Sequence, residues 1–174
     1  VRYKGFQYII HALHVLHKMF GQKDIYLVIV GPDGGYRSSL EKLVKKLKIG
    51  QYVIFTDAVT DQELCWLYSI SDIVISASLS EGFGLTIPEG MLFKKPIIAS
   101  IYTPFSFEIN KYKLGKVIDP KDFYALAKEI LQLIADKNLS QRLGLRGFNF
   151  VMQEMCLERT KRTLIDIILK TAIS

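Results

Sequence analysis

Apolar residues near the start of the chain recur at steps of three and four. Phe6, Ile9, Ile10, Leu13, Leu16 and Phe20 share one face, which predicts an amphipathic helix over about Gly5 to Phe20. The period then changes. Ile25 to Val30 (IYLVIV) is a continuous apolar run stopped by Gly31-Pro32-Asp33-Gly34-Gly35, as expected of a buried strand. Ser38 to Leu47 is helical again and stops before Gly50. Tyr52 to Phe55 (YVIF) predicts a second strand, and Asp61 to Ser69 a helix capped by Thr60 or Asp61. Asp72 to Ala77 (DIVISA) predicts a third strand, followed by a loop from Ser78 to Leu85 and a short helix from Thr86 to Phe93. Pro96 to Ser100 (PIIAS) predicts a fourth strand, and Lys116 to Ile118 a short fifth. Asp119-Pro120 breaks the chain, and helices are expected at Asp122 to Ala135, Ser140 to about Val151 and Glu158 to Thr171.

Strands that alternate with helices and are apolar on both faces imply a parallel sheet covered on both sides. Right-handed crossovers make this an α/β fold: a Rossmann-like doubly wound parallel sheet flanked by helices, with a helical C-terminal part. Ligands of such sheets bind outside the carboxyl ends of the strands. The loops at those ends are Gly31 to Tyr36, Thr56 to Thr60 and Ser78 to Leu85, so the site is expected among them.

The 174 residues suit a single domain, 1–174, and a hydrophobic content of 49% supports a packed core. The net charge is +6, with basic residues spread over Arg37 to Lys48 and Arg159 to Arg162. Solvated helix faces account for such runs; attraction toward phosphates or an anionic membrane surface is the sharper reading. Basic and aromatic residues do not interleave as in RNA- or DNA-binding modules, so no nucleic acid is expected. Cys65 and Cys156 lack partners at metal-ligand spacing and read as small buried hydrophobes in a reducing compartment. No apolar run approaches the ~20 residues that span a bilayer, and no signal peptide is visible. A cytoplasmic location follows as the expectation, with peripheral contact at the inner membrane face. The chain opens on Val1 with no strand before its first helix, which suggests an excerpt from a longer protein.

The chemistry concentrates in Leu79 to Gly90 (LSEGFGLTIPEG). Gly82 and Gly84 flank Phe83 between a strand and a helix, where backbone amides can approach a ligand closely. Those amides and the helix start suit a diphosphate. Glu81 and Glu89 bracket the turn. Carboxylates repel phosphates but accept hydrogen bonds from sugar hydroxyls. A local reading of Glu89 competes, because Thr86-x-x-Glu89 also fits a capping box. Glu81 has no comparable structural explanation.

The segment SLSEGFGLTIPEGMLFKKPIIAS resembles the E-x7-E region of the family 4 (group 1) retaining glycosyltransferases, which have the GT-B fold. Lys4-Gly5, Leu27 to Gly31 with Gly34-Gly35, Asp61 to Tyr68 with Asp72, Gly115 and Asp119-Pro120 extend the resemblance over essentially the whole chain. It implies the C-terminal, donor-binding domain of such an enzyme, without the N-terminal domain that binds the acceptor. The substrate implied is a nucleotide-diphosphate sugar, with no cofactor and no metal. The resemblance assigns Glu89 to the ribose hydroxyls and Glu81 to hydroxyls of the transferred sugar. Gly82, Phe83, Gly84 and Leu85 would give backbone contacts to the diphosphate and sugar, and Lys4 would stabilise the leaving group. The family's arginine lies several residues upstream of its lysine, so that role is not carried to Arg2. Thr103-Pro104-Phe105 stands where the family usually has two glycines. The domain alone is expected to bind donor weakly and to transfer no sugar.

His11, His14 and His17 drift around a helix at steps of three, which predicts a polar outer face and no metal site. The turn GPDGGYRS fails both the dinucleotide fingerprint and the P-loop pattern. Gly31, Gly34 and Gly35 are expected to form a second wall of the donor site. Arg37 either reaches toward the phosphates or is a solvated first-turn residue. Leu164, Ile165, Ile168 and Leu169 form a stripe on the final helix, which predicts weak self-association or ordinary core packing. The alternatives are a nucleotide-sugar epimerase-like enzyme and a non-catalytic Rossmann-like interaction module.

Overall fold

The computed structural model describes residues 1–155; the predicted final helix and Cys156 lie outside the described residues. A 3-10 turn at Arg2–Lys4 leads through Gly5 into α1 (Phe6–Met19). The expected apolar face of α1 is there, but burial extends further around the helix. Ile9, Ala12, Val15 and Leu16 pack with Ala77, Ile98, Ile118 and Leu126, whereas Ile10 and Leu13 pack with Ile29, Leu40, Val44 and Val53. The helix therefore joins two apolar clusters. Each such aliphatic side chain, removed from water, contributes about 1.5–3 kcal/mol.

The strands are all parallel and form two hydrogen-bonded groups. β1 (Leu27–Ile29) pairs with β2 (Val53–Phe55), Leu27 opposite Val53. β3 (Val74–Ser76), β4 (Ile97–Ser100) and β5 (Gly115–Ile118) form the second group in that order. β4 is buried at every position, as expected of a strand covered on both faces. The β1–β2 pair departs from that expectation. Its Ile29 and Val53 face the cluster under α1 and α2 (Arg37–Leu47), while Val28 and Ile54 stay exposed.

A helix follows each strand. α3 (Asp61–Ile70) starts on a full capping box, in which Thr60 accepts from the Glu63 N–H and Glu63 bonds back to the Thr60 N–H. None of its residues is fully buried, and Cys65 is exposed, contrary to the buried role expected for it. The reason is geometric: α3 lies on the molecule with its Cys65 and Trp66 side outward. α4 (Thr86–Leu92) buries Ile87 and Met91, and α5 (Ser106–Tyr112), not expected from the sequence, buries Ile109. α6 (Phe123–Ala135) and α7 (Lys137–Glu154) complete the helical part, capped by Asp122 and Asp136. The Asp136 cap starts α7 earlier than Ser140, the start expected from its apolar pattern.

Candidate functional site

The segment after β3 forms a bend at the molecular surface. Phe83 and Leu85 are 53% and 60% exposed, and Gly82 beside them is exposed as well. Gly84, with φ at 81°, lies buried over the Glu81 stem. Among the described residues, the amide N–H groups of Gly82, Phe83, Gly84 and Leu85 have no partner within the chain. A run of unpaired donors beside solvent is a ready acceptor-binding surface.

Two acids flank that run, and each has a definite partner. Lys4 donates from Nζ to Glu81 Oε1 at 2.8 Å. Burial pushes the Glu81 carboxyl up, but hydrogen bonds from Lys4 and Ser78 and the Lys4 charge outweigh it, and the net shift is downward. Glu81 is therefore ionised near neutral pH. Lys4 reaches it because Gly5 turns the chain against β3. At Gly5, φ is 73°, and an added Cβ would lie 1.9 Å from the Ala77 carbonyl oxygen. The neighbouring Tyr3 carbonyl accepts from the Leu79 N–H at 2.7 Å, fastening the turn beside the bend.

Glu89 does not form the capping box that its spacing allowed. Leu85 is already in the right-handed helical region, so Thr86 lies inside the helix and no side chain caps it. Glu89 Oε2 instead accepts from the Tyr68 hydroxyl at 2.8 Å. Burial, and then that bond, push the Tyr68 hydroxyl's pKa upward, so it remains a donor. Tyr68 was not singled out from the sequence. Its partner is 21 positions away, and no local pattern signals such a pair.

The loop after β1 borders a concavity. Gly31, Pro32, Asp33 and Gly34 line it with Val1, Phe6, Tyr36, Arg37, Phe55 and Thr56. Asp33 closes the turn by accepting from the amides of Gly35, Tyr36 and Arg37. The Arg37 amide, with those of Gly35 and Tyr36, holds the Asp33 carboxyl below the usual range. Arg37 is neither free nor aimed at the Gly82–Leu85 bend. Its guanidinium bonds Glu41 at 2.9 Å and Asp57 at 2.8 Å, because both carboxylates are within reach of the first turn of α2. The first four residues run from this concavity to the bend after β3: Val1 lies against Gly34 and Lys4 against Glu81.

The histidines are not the polar outer face expected of them. His17 is buried and bonds the Ile25 carbonyl at 3.0 Å, and His11 stacks on Phe123. Both follow from α1 being covered on two sides. Burial, then His14 and Lys46, lower the His11 pKa. Among the described residues no group of three or more His, Cys, Asp or Glu is placed to hold a metal ion. No described helix is long and apolar enough to cross a membrane.

Comparison with known proteins adds the family. The family model for Glycosyl transferases group 1 matches residues 1–150. The O-antigen chain mannosyltransferase C of Escherichia coli is 32% identical over 137 residues, which are 76% of this chain and 36% of that protein. The crystal structure of the C-terminal domain of a glycosyl transferase group 1 family protein (LpcC) from Francisella tularensis superposes with a TM-score of 0.79. It is 28% identical and covers 90% of this chain and 82% of that one. Anabaena Alr3699/HepE in complex with UDP shares the fold at a TM-score of 0.85 and 20% identity, over 98% of this chain and 46% of that one. The chain spans about a third of the length of the curated relatives it matches.

Proposed function

The chain belongs to the group 1 glycosyl transferases, and from that premise we propose that it is the donor-binding part of an enzyme that transfers a sugar, with retention of configuration, from a nucleotide-diphosphate sugar to an acceptor. The observation that carries this reading is the run of unpaired amides from Gly82 to Leu85, exposed at Gly82, Phe83 and Leu85 and set between Glu81 and Glu89. Amide hydrogens suit pyrophosphate oxygens, and ionised carboxylates suit hydroxyls. In this reading Glu89 accepts from the ribose, Glu81 from the sugar, and Gly31 and Gly34 wall the far side.

Lys4 has the second task. In the free chain its ammonium is neutralised by Glu81. An arriving diphosphate offers more negative charge than one carboxylate, so the ammonium moves toward the leaving group and releases Glu81 for sugar hydroxyls. Positive charge aimed at the departing nucleoside diphosphate lowers the barrier to C–O cleavage. A relative by fold, Alr3699/HepE, has been crystallised with UDP and glucose, which supports this ligand class. The epimerase-like and interaction-module readings find no support.

Calorimetric titration with UDP-, GDP- and ADP-sugars tests the proposal. One of them is expected to bind. Glu89→Ala is expected to weaken both the nucleotide and its sugar, and Glu81→Ala to reduce the extra affinity that the sugar provides. The chain alone is expected to transfer no sugar. Affinities unchanged in both variants would refute the assignment of the two acids.

A further inference from the structure

We infer that Tyr68 is a positioning residue for Glu89, holding its carboxylate in the orientation that receives the ribose diol; this rests on the donor-site reading above. Tyr68 is on α3 and Glu89 on α4. Its hydroxyl donates to Glu89 Oε2 at 2.8 Å. Its ring stacks on Phe93, with centroids 5.4 Å apart and planes 18° apart. Phe93 follows Glu89 by four residues, so α4 presents the carboxylate and the ring on one face, a turn apart. The Thr86 hydroxyl, one turn earlier, is a further polar neighbour of the Tyr68 oxygen. Thr86 and Glu89 of α4, with Phe93 just past its end, thus clasp one side chain of α3.

The arrangement has a chemical consequence. A glutamate side chain has three rotatable bonds and loses rotamer freedom when it must meet a ligand in one pose. A stacked, half-buried tyrosine removes much of that freedom before ligand arrives. A carboxylate has about four acceptor positions, so one hydroxyl on Oε2 leaves enough for both hydroxyls of a ribose. The packing role belongs to the ring and would be met by phenylalanine. The hydroxyl is needed only for the orientation of Glu89.

Tyr68→Phe separates the two, since it keeps the ring on Phe93 and deletes the donor. The probes are UDP, GDP and ADP, each beside its 2′,3′-dideoxy counterpart. The unaltered chain is expected to prefer one ribonucleotide over its dideoxy form. In Tyr68→Phe, affinity for the ribonucleotide is expected to fall about five- to tenfold while the dideoxy form binds as before. In a Glu89→Ala background the same substitution is expected to change nothing further. Circular dichroism melts establish that each variant is folded. Equal losses for both nucleotides, no loss for either, or an additive loss on top of Glu89→Ala would overturn the inference while leaving the donor site standing. An unaltered chain that binds none of the nucleotides, or shows no preference for the ribose, overturns the donor-site reading and this inference with it.

Discussion

Gly5→Ala is expected to damage stability and ligand binding together. Gly5 has φ at 73°, and its added Cβ would lie 1.9 Å from the Ala77 carbonyl oxygen and 2.7 Å from its carbon. Left-handed backbone costs a residue with Cβ about 1–2 kcal/mol. The clash is with backbone, not with a flexible side chain, so relief requires the turn and the end of β3 to separate, at about 1–3 kcal/mol more. The expected loss is therefore about 2–5 kcal/mol. Gly21 supplies the control. Its φ is 66°, but a Cβ there meets nothing within 4 Å, so Gly21→Ala carries only the backbone cost. Urea unfolding followed by circular dichroism should show a clearly lower midpoint for Gly5→Ala than for Gly21→Ala. Separation at Ala77 also stretches the Tyr3–Leu79 bond and draws Lys4 from Glu81, so nucleotide-sugar affinity should fall only in the first variant. Equal midpoints for the two variants would show that the close approach at Ala77 has been misread.

Lys4→Met should lower stability by about 1 kcal/mol near neutral pH, between the values for exposed and buried pairs. The folded-state pKa of Glu81 is depressed, so the pair's contribution is present above the unfolded carboxylate pKa and is lost as pH falls through the folded value. The gap between Lys4→Met and the unaltered chain should therefore close below about pH 4; a gap independent of pH contradicts the ion pair. Ile98→Ala removes a fully buried side chain from the cluster under α1 and should cost about 2–5 kcal/mol in urea unfolding. Arg37→Ala should leave nucleotide-sugar affinity unchanged in calorimetry, since its guanidinium already serves Glu41 and Asp57; a tenfold loss would mean that it swings to the phosphates.

Much of the fold was legible because periodicity reports burial. The three-and-four spacing of α1 and the unbroken run at Ile25 to Val30 both matched elements, although β1 itself is only Leu27–Ile29. α5 was missed because the helix is only seven residues long and buries only Ile109. One apolar anchor in a short segment makes no stripe. The histidines of α1 show the opposite limit. Their spacing correctly describes a drift around the helix, but exposure depends on what lies beside it, and α1 is covered by both clusters. At Glu89, two local readings fit the same residue types. The capping box is excluded by where the helix starts and by a tyrosine from another element that takes up Glu89, and neither is written near Glu89. Lys4 had no local signal at all. Only the family resemblance singled it out, and its pairing with Glu81 crosses 77 positions.

The two walls proposed for the donor stand on strand groups that, among the described residues, are not hydrogen-bonded to one another. The Gly31–Gly34 wall follows β1, and the Gly82–Leu85 wall follows β3. Two features tie them together. One is α1, with Ile10 and Leu13 in the first group's cluster and Ile9 and Leu16 in the second's. The other is the turn before it, with Val1 at Gly34, Tyr3 at Leu79, Lys4 at Glu81 and Gly5 at Ala77. The distance between the walls is therefore set by a helix and four of the first five residues, one of which carries the charge proposed for the leaving group. Substitutions that loosen α1 far from any ligand atom should widen the site and weaken the donor as a whole, whereas changes at Glu81 or Glu89 should discriminate between its parts.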